Sequence, residues 1–231
     1  MSNDKELMEG TLKLVADSRK ETTPYFHTVA GEHFIVFPEV FSPKYFKDTE
    51  FFAEKVPEKA KGQFLEIGTG TGAVAISTFL GKNVEYVTAT DINHIAFLNT
   101  WTNIWFRGLR HCVGVFEGNI YEPVQDKQFE TIFWNVPFGD WPHDNDMLKR
   151  AVFDSEQKSL REYIAGARHH LRDKDSNLLI GYSTTLGKYD VLEQLLEEYD
   201  FKPLELIAET TSTEGNPHMP VKFELFETYM R

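Results

Sequence analysis

The chain has 231 residues, of which 41% are hydrophobic and 14% aromatic. That is enough to bury one substantial core, and the length suits one domain better than two. No run of about 18 apolar residues occurs, so no segment reads as a membrane-spanning helix, and the charged stretch Met1 to Lys20 lacks the apolar run of a secretory signal.

The single cysteine, Cys112, has no partner within the chain. This fits a reducing compartment and a cytoplasmic protein. The formal net charge is −12 and no long Lys/Arg cluster appears. Nucleic-acid partners, which are bound by cationic side chains that displace counterions, lose weight without being excluded.

In chain order, residues 1–24 read as one short amphipathic helix with Leu7, Leu12 and Val15 on its apolar side. His33 to Phe41 is apolar and aromatic, broken up by Pro38, Ser42 and Pro43, and reads as a short strand or loop. A helix from about Lys47 to Val56 follows. Phe64 to Ile67 is a buried strand running into glycines, and Ala73 to Leu80 is helical. Tyr86 to Ile92 reads as a second strand.

His94 to Leu109 carries Ile95, Leu98, Trp101 and Trp105 at helical spacing, the mark of an apolar face. Cys112 to Phe116 and Phe129 to Val136 are the third and fourth strands. A long helix from Asp154 to Leu171 has the stripe Leu160, Tyr163, Ile164, Ala167 and Leu171. Asn177 to Tyr182 is a fifth strand. Tyr189 to Tyr199 is a helix with Val191, Leu192, Leu195 and Leu196 inward.

Leu204 to Ala208 and Lys222 to Tyr229 close the chain as two strands. The polar Gly/Pro loop between them, residues 210–220, has no room for a helix, so they pair antiparallel. The alternation implies an α/β fold, a mostly parallel sheet with helices on both faces and an antiparallel hairpin at its end. Residues 1–58 form an N-terminal helix and lid-like extension; residues 59–231 form the main domain.

The informative segment is Leu65-Glu66-Ile67-Gly68-Thr69-Gly70-Thr71-Gly72-Ala73, at a strand-to-helix junction. Glycines there let the backbone turn sharply and approach a ligand closely. The dinucleotide fingerprint needs Gly-x-Gly-x-x-Gly with a pyrophosphate on the helix N-terminus; here the third glycine, Gly72, comes one residue early. S-adenosylmethionine (SAM) carries no phosphate. Its site needs close approach at Gly68, Thr69 and Gly70 and a carboxylate for its ammonium group, which Glu66 can supply. Asp91 ends the second strand about 20 residues after the glycines, where nucleoside sites place an acid for ribose hydroxyls. Ile92 beside it can pack on an adenine face.

This segment resembles motif I of the class I SAM-dependent methyltransferases, and the closing hairpin matches their Rossmann-like, seven-stranded sheet. The resemblance runs from about Gly62 to Arg231. Glu117-Gly118-Asn119-Ile120-Tyr121-Glu122-Pro123 resembles the Gly-Asp-Leu-Phe-x-Pro segment of the HemK-like, small-domain N-methyltransferases. In that group an acid contacts the adenine amino group; here Asn119 keeps an acceptor oxygen without the charge, and Ile120 supplies a backbone N–H and packing.

Asn135-Val136-Pro137-Phe138 resembles the Asn-Pro-Pro-Tyr/Phe motif of amino-methylating enzymes. The Asn135 oxygen and a backbone carbonyl can accept both N–H bonds of a planar amide or amine and aim its lone pair at the methyl. Phe138 can stack on the planar group. Val136 replaces a proline and preserves the carbonyl while freeing φ. Phe37 to Pro43 and Asp48-Thr49-Glu50 resemble the segment that, in the same group, covers the cofactor and shapes the acceptor pocket.

The resemblance implies SAM as cofactor and transfer to a planar nitrogen, either a protein glutamine amide or a nucleobase exocyclic amine. Release-factor-modifying relatives carry a helical substrate-binding domain before the catalytic one. Only about sixty residues stand there here, so an activating partner protein is expected if that substrate is used. Alternatives are a small-molecule methyltransferase, a non-catalytic SAM-binding module and, on the strand–helix frame alone, a nicotinamide oxidoreductase. The acceptor is thus protein, RNA or a small molecule, and no membrane is involved. Trp141, His143 and Asp144 follow the Asn135 motif and stand near enough in sequence to line the acceptor site. His27, His33, His169 and His170 read as structural, and no metal-ligand spacing occurs.

Overall fold

The computed structural model describes residues 2–143, 145–215 and 218–231. A helix α1 (Ser2–Ser18) leads to a two-stranded hairpin, β1 (Tyr25–Val29) and β2 (Glu32–Val36), and then to α2 (Asp48–Lys59). The alternation expected from Gln63 onward follows: β3 (Gly62–Ile67), α3 (Ala73–Leu80), β4 (Val84–Asp91), α4 (His94–Phe106), β5 (Val113–Glu117) and β6 (Thr131–Asn135). After a short α5 (Met147–Arg150) come α6 (Lys158–His170), β7 (Asn177–Tyr182), α7 (Tyr189–Glu198), β8 (Glu205–Ser212) and β9 (Val221–Tyr229). Among the described residues, no helix is long and apolar enough to cross a membrane.

The seven-stranded sheet has the order β5-β4-β3-β6-β7-β9-β8. β3 to β7 are parallel, while β9 runs antiparallel to β7 and pairs antiparallel with β8. Successive side chains of a strand point to opposite faces, and β3 divides its apolar residues accordingly. Phe64 joins Phe52, Ile76, Val87, Phe133 and Leu225 beneath α2, α3 and α4. Leu65 joins Ile132, Leu178, Tyr163 and Leu192 beneath α6 and α7. The stripe Leu160, Tyr163, Ile164, Ala167 and Leu171 is buried throughout, as are Leu192, Leu195 and Leu196, whereas Val191 is half-buried.

The N-terminal segment shares this core, because Val29, Phe34 and Phe52 belong to the same cluster as Phe64. Leu7 and Val15 of α1 are buried and Leu12 is half-buried. α1 and α5 meet around Met8, Val15, Phe46, Leu148 and Phe153. Arg19 ties them by ion pairs to Glu39 and Asp146, the latter at 2.7 Å.

Two sequence expectations change. The segment before α2 is a strand hairpin, where sequence suggested a strand or loop only from His33; β1 has an alternating but mostly exposed pattern, so no apolar run announced it. More consequentially, the apolar stripe of α4 faces outward. Trp101 and Trp105 are 51% and 52% exposed, and Ile95 and Leu98 are also on the surface. The buried face instead carries Ala96, Asn99, Thr100, Asn103 and Ile104.

The reason is hydrogen bonding. Asn99 accepts from the Phe37 N–H at 2.8 Å and donates to the Ile35 carbonyl at 2.7 Å. Asn103 accepts from the Ile35 N–H and donates to the carbonyls of Ile35 and Thr71. A hairpin that is not part of the main sheet leaves backbone groups facing α4, and these must be paired once buried. Asparagine, with both donors and an acceptor, does this.

Asn103→Leu, which leaves the Ile35 N–H and the Thr71 carbonyl without this partner and the Ile35 carbonyl with Asn99 alone, should therefore destabilise the fold by roughly 2–4 kcal/mol. Urea denaturation measures it, and amide exchange should show the loss concentrated in β2; an unchanged midpoint would refute this account of α4.

Candidate functional site

The cleft opens outside the carboxyl ends of β3, β4, β5 and β6, where the strand order reverses about β3. Ligands of open α/β sheets bind at that place. The glycine turn supplies its floor. Gly68 has φ +62°, and a Cβ there would lie 2.6 Å from the Trp134 indole nitrogen, so the turn can pass over that ring only without a side chain. Gly70 has φ +57° and meets nothing closer than Phe41 at 3.9 Å; its open side is where a ligand can approach the backbone. Gly72, at φ +78°, packs on Thr100 and starts α3.

Two carboxylates hold the turn. Glu66 Oε2 accepts from the Thr69 hydroxyl at 2.8 Å and from the Ala75 N–H at 2.9 Å, capping α3 from inside the core. Asp91 accepts from the Gly70 N–H at 2.9 Å and the Asn93 N–H at 2.8 Å, one on each oxygen. Both are buried. Burial pushes the Glu66 carboxyl up to about 8, with Asp91 nearby adding to the effect, and pushes Asp91 up to about 6 against the pull of its two N–H donors.

Glu66, Gly68, Thr69, Gly70, Asp91, Ile92, Asn119, Ile120, Asn135 and Pro137 all line this one cleft. The Glu66 oxygen that caps α3 is already committed, which narrows what that residue has left for a ligand ammonium group. Asn119 donates to Glu162 Oε2 at 3.2 Å, which leaves its amide oxygen as the free end. Ile120 holds φ +46°, a conformation costly for a β-branched residue, while its carbonyl accepts from the Thr90 hydroxyl.

Three sequence-derived residues lie off the cleft wall. Gly72 sits behind it. Val136 is buried in the core and donates its N–H to the Gly181 carbonyl. Phe138 packs against Tyr182 and Phe223 and lines a second, mostly apolar cavity. That cavity also contains Asp48, Leu14, Phe46 and Asn135. Asn135 is thus the wall between the two spaces.

The decisive contact was not named from sequence. Asn135 Nδ2 donates to Asp48 Oδ2 at 2.7 Å. Asp48 is buried at the start of α2, and burial pushes its carboxyl up to about 6. Because a carboxylate only accepts, the contact fixes which end of the Asn135 amide points away. Asn135 Oδ1 and Asp48 Oδ1 are both buried and both lack a partner. In the sequence, Asp48-Thr49-Glu50 carries only a resemblance that implies pocket shape, with no role for any one atom.

Thr49, from the segment whose resemblance implies a pocket-shaping role, also lines the cleft, as do Phe52, Met147 and Arg150, which carry no sequence signal. His143 lies on its wall with Nδ1 buried and unpartnered, Trp141 packs against the α1–α5 cluster, and Asp144 is outside the described residues. His170 is structural, stacked on Tyr121 and bonded to the Lys127 carbonyl. Among the described residues, no group of three or more His, Cys, Asp or Glu side chains is placed to hold a metal.

The family described as "Methyltransferase small domain" matches residues 31–205. A release factor glutamine methyltransferase of Aquifex aeolicus is 30% identical over 165 residues, covering 67% of this chain and 59% of that one. Its counterpart from Geobacter sulfurreducens is 28% identical over 137 residues, covering 58% and 43%. The chain spans about half the length of the curated relatives it matches.

Among solved structures, a precorrin-6y C5,15-methyltransferase from Geobacter metallireducens superposes with a TM-score of 0.57 at 16% identity, covering 86% of this chain and 94% of that one. Trm5b from Pyrococcus abyssi gives 0.62 at 15% identity, covering 91% and 57%. These likenesses are of fold. The chain belongs to the methyltransferase small domain family, within the HemK-like class I methyltransferases whose cofactor is S-adenosylmethionine.

Proposed function

We propose that the protein transfers a methyl group from SAM to a planar nitrogen carrying two hydrogens, a glutamine amide or an exocyclic amine. The observation that carries this reading is the pair of buried, unpartnered acceptors, Asn135 Oδ1 on the wall shared by cleft and second cavity and Asp48 Oδ1 on the second cavity. An orphaned buried acceptor is costly. An NH2 group donating one hydrogen to each oxygen removes that cost and turns the nitrogen lone pair out of the plane of those bonds. A hydroxyl or thiol acceptor offers only one hydrogen and leaves one oxygen unpaired.

The cleft fits the cofactor in its charge and its open glycine face. Bound there, the cofactor supplies an electrophilic methyl on a sulfonium. Asp91 retains a free lone pair on each oxygen for ribose hydroxyls, Ile92 offers an apolar surface to adenine, and the Asn119 oxygen accepts from its amino group. Asp91 supplies negative potential for the cationic methionine end, and Glu66 adds to it once the cation draws off its proton. On the acceptor side, Asp48 orients Asn135 and stabilises positive charge as it builds on nitrogen. When the nitrogen gains a carbon it must lose one proton, and Asp48 Oδ1 stands where it can receive it. Phe138 shapes the apolar wall behind the acceptor.

The glutamine methyltransferase relatives favour an amide, and the acidic chain weighs against RNA. A lone cysteine supports a cytoplasmic setting.

Asn135→Ala should abolish transfer of labelled methyl from SAM into cell lysate while leaving SAM affinity nearly unchanged; persistent turnover would refute the assignment. Asp48→Asn should lower kcat on the order of 100-fold. The wild-type rate should fall as pH drops below about 6, because protonated Asp48 no longer only accepts, and that acid limb should vanish in the variant. A second prediction concerns binding alone. Burial holds Glu66 largely protonated near neutral pH, and a cationic ligand favours its ionised form. SAM binding at pH 7 should therefore release protons, read by calorimetry in buffers of different ionisation enthalpy. Proton uptake, or no exchange, would argue against Glu66 facing the cofactor charge.

A further inference from the structure

The outward face of α4 has no role in either cavity. Ile95, Leu98, Trp101, Trp105 and Phe106 form a continuous apolar surface on one short helix, and Phe106 is 64% exposed. Large exposed apolar patches mark interaction surfaces. On a helix of 3.6 residues per turn, Leu98, Trp101 and Trp105 fall on the side opposite Asn99 and Asn103. They therefore look away from β2, which those asparagines bind.

Beside α4 lies a second unpartnered feature. β5 is the edge of the seven-stranded sheet. Its sequence, Val-Gly-Val-Phe-Glu, contains no proline or lysine, the usual devices that protect an edge. Val87 donates to the Cys112 carbonyl, and Gly118 donates to the Asp91 carbonyl. Backbone groups alternate in direction along a strand, so residues 112, 114, 116 and 118 bond inward to β4. The N–H and C=O groups of Val115 and Glu117 and the carbonyl of Val113 point outward, while the Val113 N–H donates to the Leu109 carbonyl.

We infer that this edge and the outer face of α4 together form a two-fold interface with a second copy of the chain. The outward residues are centred on Val115. In an antiparallel pair Val115 meets Val115 of the copy and exchanges both bonds, while Val113 meets Glu117 through one, the Glu117 N–H donating to the Val113 carbonyl. A two-fold axis perpendicular to the sheet then brings the two α4 helices side by side on the same face, with their Trp101 and Trp105 stripes in contact.

The charges agree with this arrangement. Arg110 and His111 precede β5 and Glu117 ends it, so antiparallel addition sets basic against acidic at both ends. Furthermore, residues 94–111 contain no Asp or Glu in a chain of net charge −12. Two such chains repel over most of their surface, and this acid-free face is where they can meet.

Analytical ultracentrifugation of the full chain at tens of micromolar should show a dimer. Two variants test its two halves. Trp101→Glu places like charges across the helix contact and should give a monomer. Val115→Pro removes only an outward N–H, which an edge strand tolerates within its own sheet, and should also give a monomer. Circular dichroism must show both still folded; should Val115→Pro unfold, amide exchange protection of Val115 and Glu117 that is present in the wild type and lost in Trp101→Glu tests the same bond. A monomeric wild type would overturn the inference. So would a dimer that survives either folded variant, or a monomer that binds a different protein through Trp101.

Discussion

Two buried carboxylates beneath the glycine turn hold the rest of the site in place. Glu66 caps α3 through the Ala75 N–H, and Asp91 reaches across from β4 to the Gly70 N–H. The turn therefore stays pinned to the ends of two neighbouring strands while its open side faces the cleft. Burial disfavours the charged form of each carboxyl. The cost is carried by a packed sheet whose core residues come from every strand around them, and it leaves a negative potential in a partly dry cleft. That potential suits a cationic nucleoside.

The acceptor side uses the same device with a different outcome. Asp48 and Asn135 come from segments 87 positions apart and meet at 2.7 Å. One bond between them determines the orientation of the amide and leaves two oxygens without partners. Buried polar groups in folded proteins are nearly always paired, so these two orphans, Asn135 Oδ1 on both cavities and Asp48 Oδ1 on the second, read as groups waiting for donors. The N-terminal segment thus helps build the second cavity, because α2 brings Asp48 and α1 contributes to its wall.

α4 serves two sides at once. Its inner face is polar because it ties the β1–β2 hairpin to the glycine turn: Asn103 bonds Ile35 and Thr71 together. Its outer face is free to be apolar because the core does not need it. The same helix therefore begins at the cleft, with Asn93 as its cap, and presents its flank to a neighbour.

By itself the sequence determined the strand–helix order from Gln63, the antiparallel closing hairpin, and the residues 66–71, 91, 119–120 and 135 that converge on the cleft. These follow from short-range rules: apolar periodicity marks elements, and a glycine turn followed by an acid marks a nucleoside cleft wherever that frame occurs. Only the tertiary structure decided which way α4 faces, that Phe138 lies behind the cleft wall, and that Asp48 aims Asn135. Helical periodicity reports that two faces differ, not which is buried, and here unpaired backbone of a distant hairpin outweighed apolar area. The pairing of Asp48 with Asn135 depends on how α2 docks on the sheet, and no local pattern in either segment encodes that distance.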